Sequence, residues 1–148
     1  NDALLPGKRL YMFSTGTGVA PFASLVRDPE TYEKFEEIVL VHTCRQVAEL
    51  EYSRELVEEL REDPLIGEFA QRLRYVPSAT REPFERNARI TTMIENGDLP
   101  IDPATDRAMI CGSMDMLKSV KALCEKAGLV EGSNAAPGTF VVERAFVD

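Results

Sequence analysis

The segment RLYMFSTGTGVAPF, residues 9–22, decides the fold. It opens with an apolar block that hardly alternates, as expected of a strand buried on both faces. A turn with two glycines follows, and then Pro21, which suits the first turn of a helix because its missing N–H would be unpaired there. Strand, glycine turn and helix in this order predict a doubly wound α/β fold, with the turn at the carboxyl end of the strand where such folds bind ligands.

The rest of the chain repeats this alternation of strand and helix. Further apolar blocks rich in β-branched or aromatic residues lie at Glu37–Thr43, Leu73–Pro77, Arg107–Cys111 and Thr139–Arg144. Helical periodicity is clearest in Ala48–Glu62 and in Met114–Ala127, which is followed by Gly128 as a C′ residue. The pattern predicts a three-layer α/β sandwich whose five-stranded parallel sheet has the order 3-2-1-4-5. Residues 96–105 and 133–138, rich in Gly, Pro, Asp and Asn, are predicted surface loops.

Length and charge narrow the class of protein. A chain of 148 residues has room for one domain with its own core. The 17 basic and 25 acidic residues give a net charge of −8, which disfavours nucleic acid as a partner. The apolar blocks are far shorter than the roughly 20 residues of a membrane span, and residues 1–8 show no secretion signal. We therefore expect no nucleic-acid and no membrane partner.

The cysteines indicate a reducing compartment and no metal. Cys44, Cys111 and Cys124 are odd in number and far apart, with no CxxC pair for a disulfide framework or a zinc site. The single histidine, His42, cannot supply a zinc triad, and by itself it also fits a packed or capped side chain. The expectation is a cytoplasmic protein without a metal.

The glycine turn predicts a phosphate site. Gly16 and Gly18 permit backbone angles and close approach that side chains forbid, and free N–H groups at the helix start can face a pyrophosphate. The turn alone also fits a plain strand-to-helix connection. A Walker A loop is excluded, since no Lys-Ser or Lys-Thr follows. An NAD-type fingerprint fits poorly, because Pro21 replaces the third glycine and the second strand ends in His42-Thr43-Cys44-Arg45 rather than in an acidic residue.

Arginines after the second and third strands point to a 2′-phosphate. An acidic residue at the end of the second strand would hold the ribose 2′-hydroxyl of NAD, whereas an arginine near the ribose accommodates the 2′-phosphate of NADP, and here the strand closes with Arg45. Thr80, Arg81 and Arg89 add a hydroxyl and two guanidinium forks. Taken without the turn, Arg81, Arg86 and Arg89 also fit solvated loop charges.

These segments together resemble the plant-type ferredoxin-NADP⁺ reductases, bacterial subclass, over essentially the whole chain. The matching motifs are STGTGVAPF at 14–22, HTCR at 42–45 with ELEY at 49–52, TR at 80–81 with RIT at 89–91, CGS at 111–113 and VVERAFV at 141–147. The resemblance implies the NADP(H)-binding domain of such a flavoenzyme. It also implies FAD as a second cofactor, bound mainly by another domain, and ferredoxin or flavodoxin as the electron partner.

The resemblance also assigns roles to residues. The cofactor-binding residues it implies are Thr15, Gly16, Thr17, Gly18, Val19, Arg45, Thr80, Arg81, Arg89, Gly112, Ser113 and Met116. Cys111 is placed beside the nicotinamide carbon that gives up hydride, and Phe146 is the ring that covers the flavin until nicotinamide displaces it. From the residues alone, Cys111 also fits an inert buried thiol and Phe146 a core side chain.

The expected organisation is an interdomain linker remnant at residues 1–8 and an NADP(H)-binding domain at residues 9–148, with the FAD-binding domain absent. We expect a monomer that has no reductase activity without a flavin domain. Two alternatives stay open. One is the NADH-dependent reductase domain of an oxygenase on the same fold, and the other is a non-catalytic, truncated or engineered nucleotide-binding module.

Overall fold

Strands and helices alternate along residues 3–143, the part of the chain that the computed structural model describes. The strands are β1 (Arg9–Thr15), β2 (Glu37–Cys44), β3 (Leu73–Ala79), β4 (Asp106–Cys111) and β5 (Phe140–Val142). The helices are α1 (Ala20–Val26), α2 (Pro29–Lys34), α3 (Glu51–Glu62), α4 (Ile90–Glu95) and α5 (Met114–Lys126). Short 3-10 turns at Gly16–Val19, Val47–Leu50 and Phe69–Arg72 precede α1, α3 and β3.

The sheet is parallel throughout and has the order β3-β2-β1-β4-β5, which confirms the predicted fold class and strand order. The central strand β1 pairs with β2 on one side and with β4 on the other, so that Tyr11 lies between Val39 and Ala108. The chain adds β2 and β3 outward from β1 and then returns across the sheet to β4. This reversal makes the carboxyl edge of β1 and β4 the topological switch point of the fold.

Both faces of the sheet are covered, which explains the unbroken apolar blocks. In β1 the side chains of Leu10 and Met12 join the core formed with α1, α2 and α3. Tyr11 and Phe13 point to the opposite face, stack at 5.1 Å between ring centroids, and join the core formed with α4 and α5. A strand buried on both sides has no solvent face, so polar residues do not alternate with apolar ones.

The helix boundaries refine the predictions. The helix predicted over Ala48–Glu62 begins at Glu51, because residues 47–50 form a 3-10 turn closed by a capping box. In that box the Gln46 backbone N–H donates to the Glu49 carboxylate at 2.9 Å. The second helix ends as predicted before Gly128, whose φ of +104° is the left-handed conformation that favours glycine.

The last strand is shorter than predicted. Strand β5 covers Phe140–Val142 rather than Thr139–Arg144, and single backbone bonds to β4 flank it: the Ala108 N–H donates to the Thr139 carbonyl at 3.1 Å, and the Glu143 N–H to the Ile110 carbonyl at 2.8 Å. Arg144 lies outside the described residues. The segment ahead of β1 lies against the sheet: the Leu5 N–H donates to the Gly138 carbonyl at 2.9 Å, and the Lys8 N–H to the Thr105 carbonyl at 2.8 Å.

Residues 3–143 contain neither a candidate membrane span nor a candidate metal cluster. None of the helices there is long and apolar enough to cross a membrane. The same stretch holds no group of three or more His, Cys, Asp or Glu side chains arranged to bind a metal ion.

Candidate functional site

A crevice of about 550 Å³ lies at the switch point, a size typical of small-molecule sites. It is walled by the segments that follow β1, β2, β3 and β4. The predicted cofactor-binding residues lining it are Thr15, Gly16, Thr17, Gly18, Arg45, Thr80, Arg81, Arg89, Gly112, Ser113 and Met116. Residues far apart in sequence therefore meet here, because parallel strands bring their carboxyl ends to one edge.

The two glycines of the turn are required for different reasons. Gly16 has a φ of +53°, the left-handed region, and a Cβ placed on it would meet no atom within 4 Å. Gly18 has no such φ, but its Cβ would lie 2.7 Å from the carbonyl carbon of Cys111 and 2.9 Å from Cα of Gly112. Gly16 thus sets the path of the turn, and Gly18 lets the turn pack on the end of β4.

The ends of β1 and β4 are further joined by one hydrogen bond and by close contact. The Ser113 backbone N–H donates to the Thr15 hydroxyl at 3.3 Å. A Cβ on Gly112 would overlap that hydroxyl and lie 3.2 Å from the Met116 sulfur. The Ser113 hydroxyl accepts from the Met116 backbone N–H at 3.3 Å and so caps α5 at the crevice. This wall of the crevice is therefore held in place by contacts within the protein.

His42 holds the glycine turn from the neighbouring strand. Its ring, 1% exposed, places Nε2 2.7 Å from the Gly16 carbonyl and Nδ1 2.6 Å from the Ser53 hydroxyl. Since a carbonyl only accepts, Nε2 carries the proton and Nδ1 accepts from Ser53. The Tyr75 hydroxyl, 2.6 Å from Ser53 Oγ, then donates to Ser53. A chain of polar groups thus runs from β3 through α3 to the turn.

The buried position of His42 predicts a pH-dependent stability. Burial lowers the pKa of His42 below its ordinary value near 6.5, although the Gly16 carbonyl opposes the shift. The unfolded chain then binds the proton more readily, so the stabilising contribution of neutral His42 is lost as pH falls below about 6.5. We expect His42→Gln, whose amide stays neutral, to reduce the loss of unfolding free energy between pH 7 and 5, measured by urea denaturation. Identical pH dependence in both proteins would contradict the assignment.

Three arginines give the crevice its positive charge. The side chains of Arg45, Arg81 and Arg89 are exposed and form no ion pair or hydrogen bond with the described residues. The Arg81 backbone N–H donates to the Arg45 carbonyl at 2.9 Å, so the loops that carry these two guanidinium groups are joined. Guanidinium forks without a protein carboxylate are suited to an anion such as phosphate.

Acidic groups at the crevice do not neutralise these arginines. Glu49 lines the wall, and its carboxylate already accepts the Gln46 N–H of the capping box. Asp115 lies in the first turn of α5, where a negative charge complements the helix dipole. Within residues 3–143 neither carboxylate forms an ion pair with an arginine of the crevice.

Three predicted site residues are not among those lining the crevice. Val19 is 2% exposed in the apolar core, so only its backbone is available to a ligand. Cys111 is 1% exposed in the same core, below the contact between Gly18 and β4. Phe146 lies outside the described residues. The roles of all three stay predictions.

Several crevice residues were not predicted from the sequence: Thr43, Cys44, Glu49, Ile90, Thr91, Asp115, Ser119 and Val120. Helical spacing was the available signal for Ser119 and Val120, which lie one turn after Met116 on α5. Cys44 had no such signal, and burial raises the pKa of its thiol to about 11. The thiol therefore stays protonated at neutral pH and is a poor nucleophile.

A doubly wound parallel sheet, with a glycine turn at its switch point and arginines there that have no acidic partner in the described part of the chain, defines a nucleotide-binding α/β domain. The profile of one such family, the oxidoreductase NAD-binding domain, matches residues 12–122. The chain belongs to this family.

Comparison with individual relatives points to a narrower group of proteins within this family. The chain is 54% identical to the flavodoxin/ferredoxin-NADP reductase of Rhodobacter capsulatus, over 99% of this chain and 57% of that protein. It is 49% identical to ferredoxin-NADP reductase A of Sorangium cellulosum, over 97% and 54%. The ferredoxin NADP⁺ reductase of Neisseria gonorrhoeae, solved with bound FAD and NADP, superposes with a TM-score of 0.79 at 27% identity, over 95% of this chain and 57% of that one.

These similarities confirm the resemblance to ferredoxin-NADP⁺ reductases that the motifs indicated. The chain spans somewhat more than half the length of the curated relatives it matches.

Proposed function

We propose that this chain is the NADP(H)-binding domain of a ferredoxin/flavodoxin-NADP⁺ reductase. It positions nicotinamide for hydride exchange with FAD, and electrons pass to or from ferredoxin or flavodoxin. One observation carries the proposal: Arg45, Arg81 and Arg89 line the same crevice as the glycine turn, and none of them has an acidic partner among the described residues. A nucleotide with a diphosphate and a further phosphate suits this distribution of charge.

The residues present fit NADP(H) in size and chemistry. The Gly16–Gly18 backbone is open to the crevice and suits the diphosphate, with Arg45 beside it. Thr80, Arg81 and Arg89 supply a hydroxyl and two guanidinium groups that can bind the 2′-phosphate. Gly112, Ser113 and Met116 form the opposite wall.

The chemistry belongs to the cofactors: NADPH, when bound, supplies the hydride that the flavin accepts. The task of this chain is placement, since its described residues hold the crevice in one shape through the contacts of Gly18, Thr15 and His42. Cys111 and Phe146 are proposed, on the resemblance, to contact the nicotinamide and the flavin.

The proposed setting follows from the same family. FAD is bound mainly by a second domain, and the complete reductase acts as a cytoplasmic monomer. The three cysteines are buried and form no disulfide, as expected in a reducing compartment.

Parallel calorimetric titrations of the chain with NADP⁺ and NAD⁺ test the proposal. We expect NADP⁺ to bind at least about 10-fold more tightly, which is about 1.4 kcal/mol. Binding of 2′-phospho-AMP but not of 5′-AMP would locate the preference in the 2′-phosphate. Equal affinities, or a preference for NAD⁺, would assign the chain instead to the NADH-dependent reductases of the same fold.

A further inference from the structure

The loop after β3, residues 80–89, carries Thr80, Arg81 and Arg89 but contains no helix or strand. It is closed on itself by one side chain. The Asn87 amide nitrogen donates to the Ala79 carbonyl at 3.0 Å and to the Glu82 carbonyl at 2.9 Å. Since both partners only accept, the amide nitrogen has to face them. Asn87 therefore bridges the residues on either side of the Thr80-Arg81 pair.

Backbone bonds fix the same loop from the other direction. The Ala79 N–H donates to the Arg86 carbonyl at 3.1 Å, which closes a ring of residues 79–86. The Thr80 N–H donates to the Cys44 carbonyl at 3.0 Å. The Val47 N–H donates to the Glu82 carboxylate, which ties the loop to the segment after β2. Together with the bond from the Arg81 N–H to the Arg45 carbonyl at 2.9 Å, these bonds hold the backbone of Arg81 at the edge of the crevice.

Asn87 is exposed and does not line the crevice. It is therefore placed neither to contact a ligand there nor to pack in the core. Without its bridge, the loop would keep one internal bond and the bonds that join Thr80, Arg81 and Glu82 to the end of β2 and the segment after it, and the Arg81 guanidinium would sample more positions before binding. Ordering a flexible loop reduces affinity, and the reduction falls on the ligand group that the loop holds.

We propose that Asn87 is a positioning residue for nucleotide selectivity: by bridging Ala79 and Glu82 it places Arg81 for the 2′-phosphate. The inference rests on the proposed function, because it presupposes a 2′-phosphorylated nucleotide in the crevice. It adds a residue that acts through Arg81 rather than by touching the ligand.

The test compares the ratio of NADP⁺ to NAD⁺ affinity among variants of the full chain. Asn87→Ala removes both donors, and we expect the ratio to fall about fivefold, the typical effect of a net hydrogen bond. Asn87→Asp has nearly the same shape but turns a carboxylate toward two carbonyl oxygens, and we expect a larger fall. Asn134→Asp is the matched control: it adds the same charge in an exposed loop away from the crevice and should leave the ratio unchanged.

The results for the Arg81 and Asn87 variants together distinguish failure of this inference from failure of the proposed function. If Arg81→Ala lowers the ratio and both Asn87 variants leave it unchanged, the inference is overturned and the proposed function stands. If Arg81→Ala also leaves the ratio unchanged, the proposed function fails. A variant that weakens NADP⁺ and NAD⁺ equally, together with a lower unfolding temperature, would show that Asn87 has a structural role only, which also overturns the inference.

Discussion

Replacing Arg81 by alanine is expected to weaken NADP⁺ binding about 10- to 100-fold and to leave NAD⁺ binding unchanged. The Arg81 side chain lies in the crevice without a protein partner, so its removal costs no ion pair within the described residues. The variant loses a charge-assisted, bidentate contact to the 2′-phosphate. Such hydrogen bonds are roughly twice as strong as those between neutral groups. Parallel calorimetric titrations of the variant with both nucleotides measure the effect.

The same loop offers the matched control. Arg86 has the same charge and lies five residues further along, but it does not line the crevice, so Arg86→Ala should leave both affinities within about twofold of the wild type. Arg81→Lys keeps the charge and loses the planar fork, so an intermediate loss is expected. Equal losses in Arg81→Ala and Arg86→Ala would mean that net positive charge, not a defined phosphate contact, determines binding.

Gly18→Ala is expected to lower the free energy of unfolding by about 3 kcal/mol and to abolish measurable nucleotide binding. The added Cβ would meet the backbone of Cys111 and Gly112 at 2.7 and 2.9 Å, and a backbone cannot rotate away as a side chain does. The turn would have to lift off β4 and change the shape of the crevice. Thermal unfolding, with an expected fall of about 6–12 °C for a chain of this size, and calorimetric titration measure the two effects.

Gly16→Asn is the companion substitution. Asparagine tolerates the left-handed region, and a side chain at this position meets open space, so we expect a loss of at most about 1 kcal/mol. A larger loss in Gly16→Asn than in Gly18→Ala would show that turn conformation, rather than the contact with β4, dominates. The nucleotide affinity of Gly16→Asn measures separately whether the added side chain crowds the crevice.

Much of the fold could be predicted because its determinants are local. Strands such as β1 are apolar on both faces, and helices such as α5 repeat their apolar residues every three to four positions, so each element is visible within its own segment. Boundaries were less predictable. The start of α3 depends on a capping box at Gln46 and Glu49, and the length of β5 depends on what its neighbours bond to.

For the candidate site too, the residue types could be predicted from the sequence, but their partners could not. Arg81 and Arg89 were identifiable by residue type, but that neither has an acidic partner among residues 3–143 depends on distances to carboxylates in other segments. From the sequence alone, His42 also fits an ordinary packed side chain. Its partners Gly16, Ser53 and Tyr75 come from three other segments.

By itself the sequence determined the order of strands and helices, the glycine turn after β1 and the types of residue at the strand ends, because periodicity and backbone preference act over a few neighbouring residues. Tertiary structure alone decided that Gly18 packs on Cys111, that Asn87 bridges its own loop, and that the arginines share one crevice. Those facts arise where the parallel sheet brings separate strand ends together, and contacts between distant segments leave no local pattern.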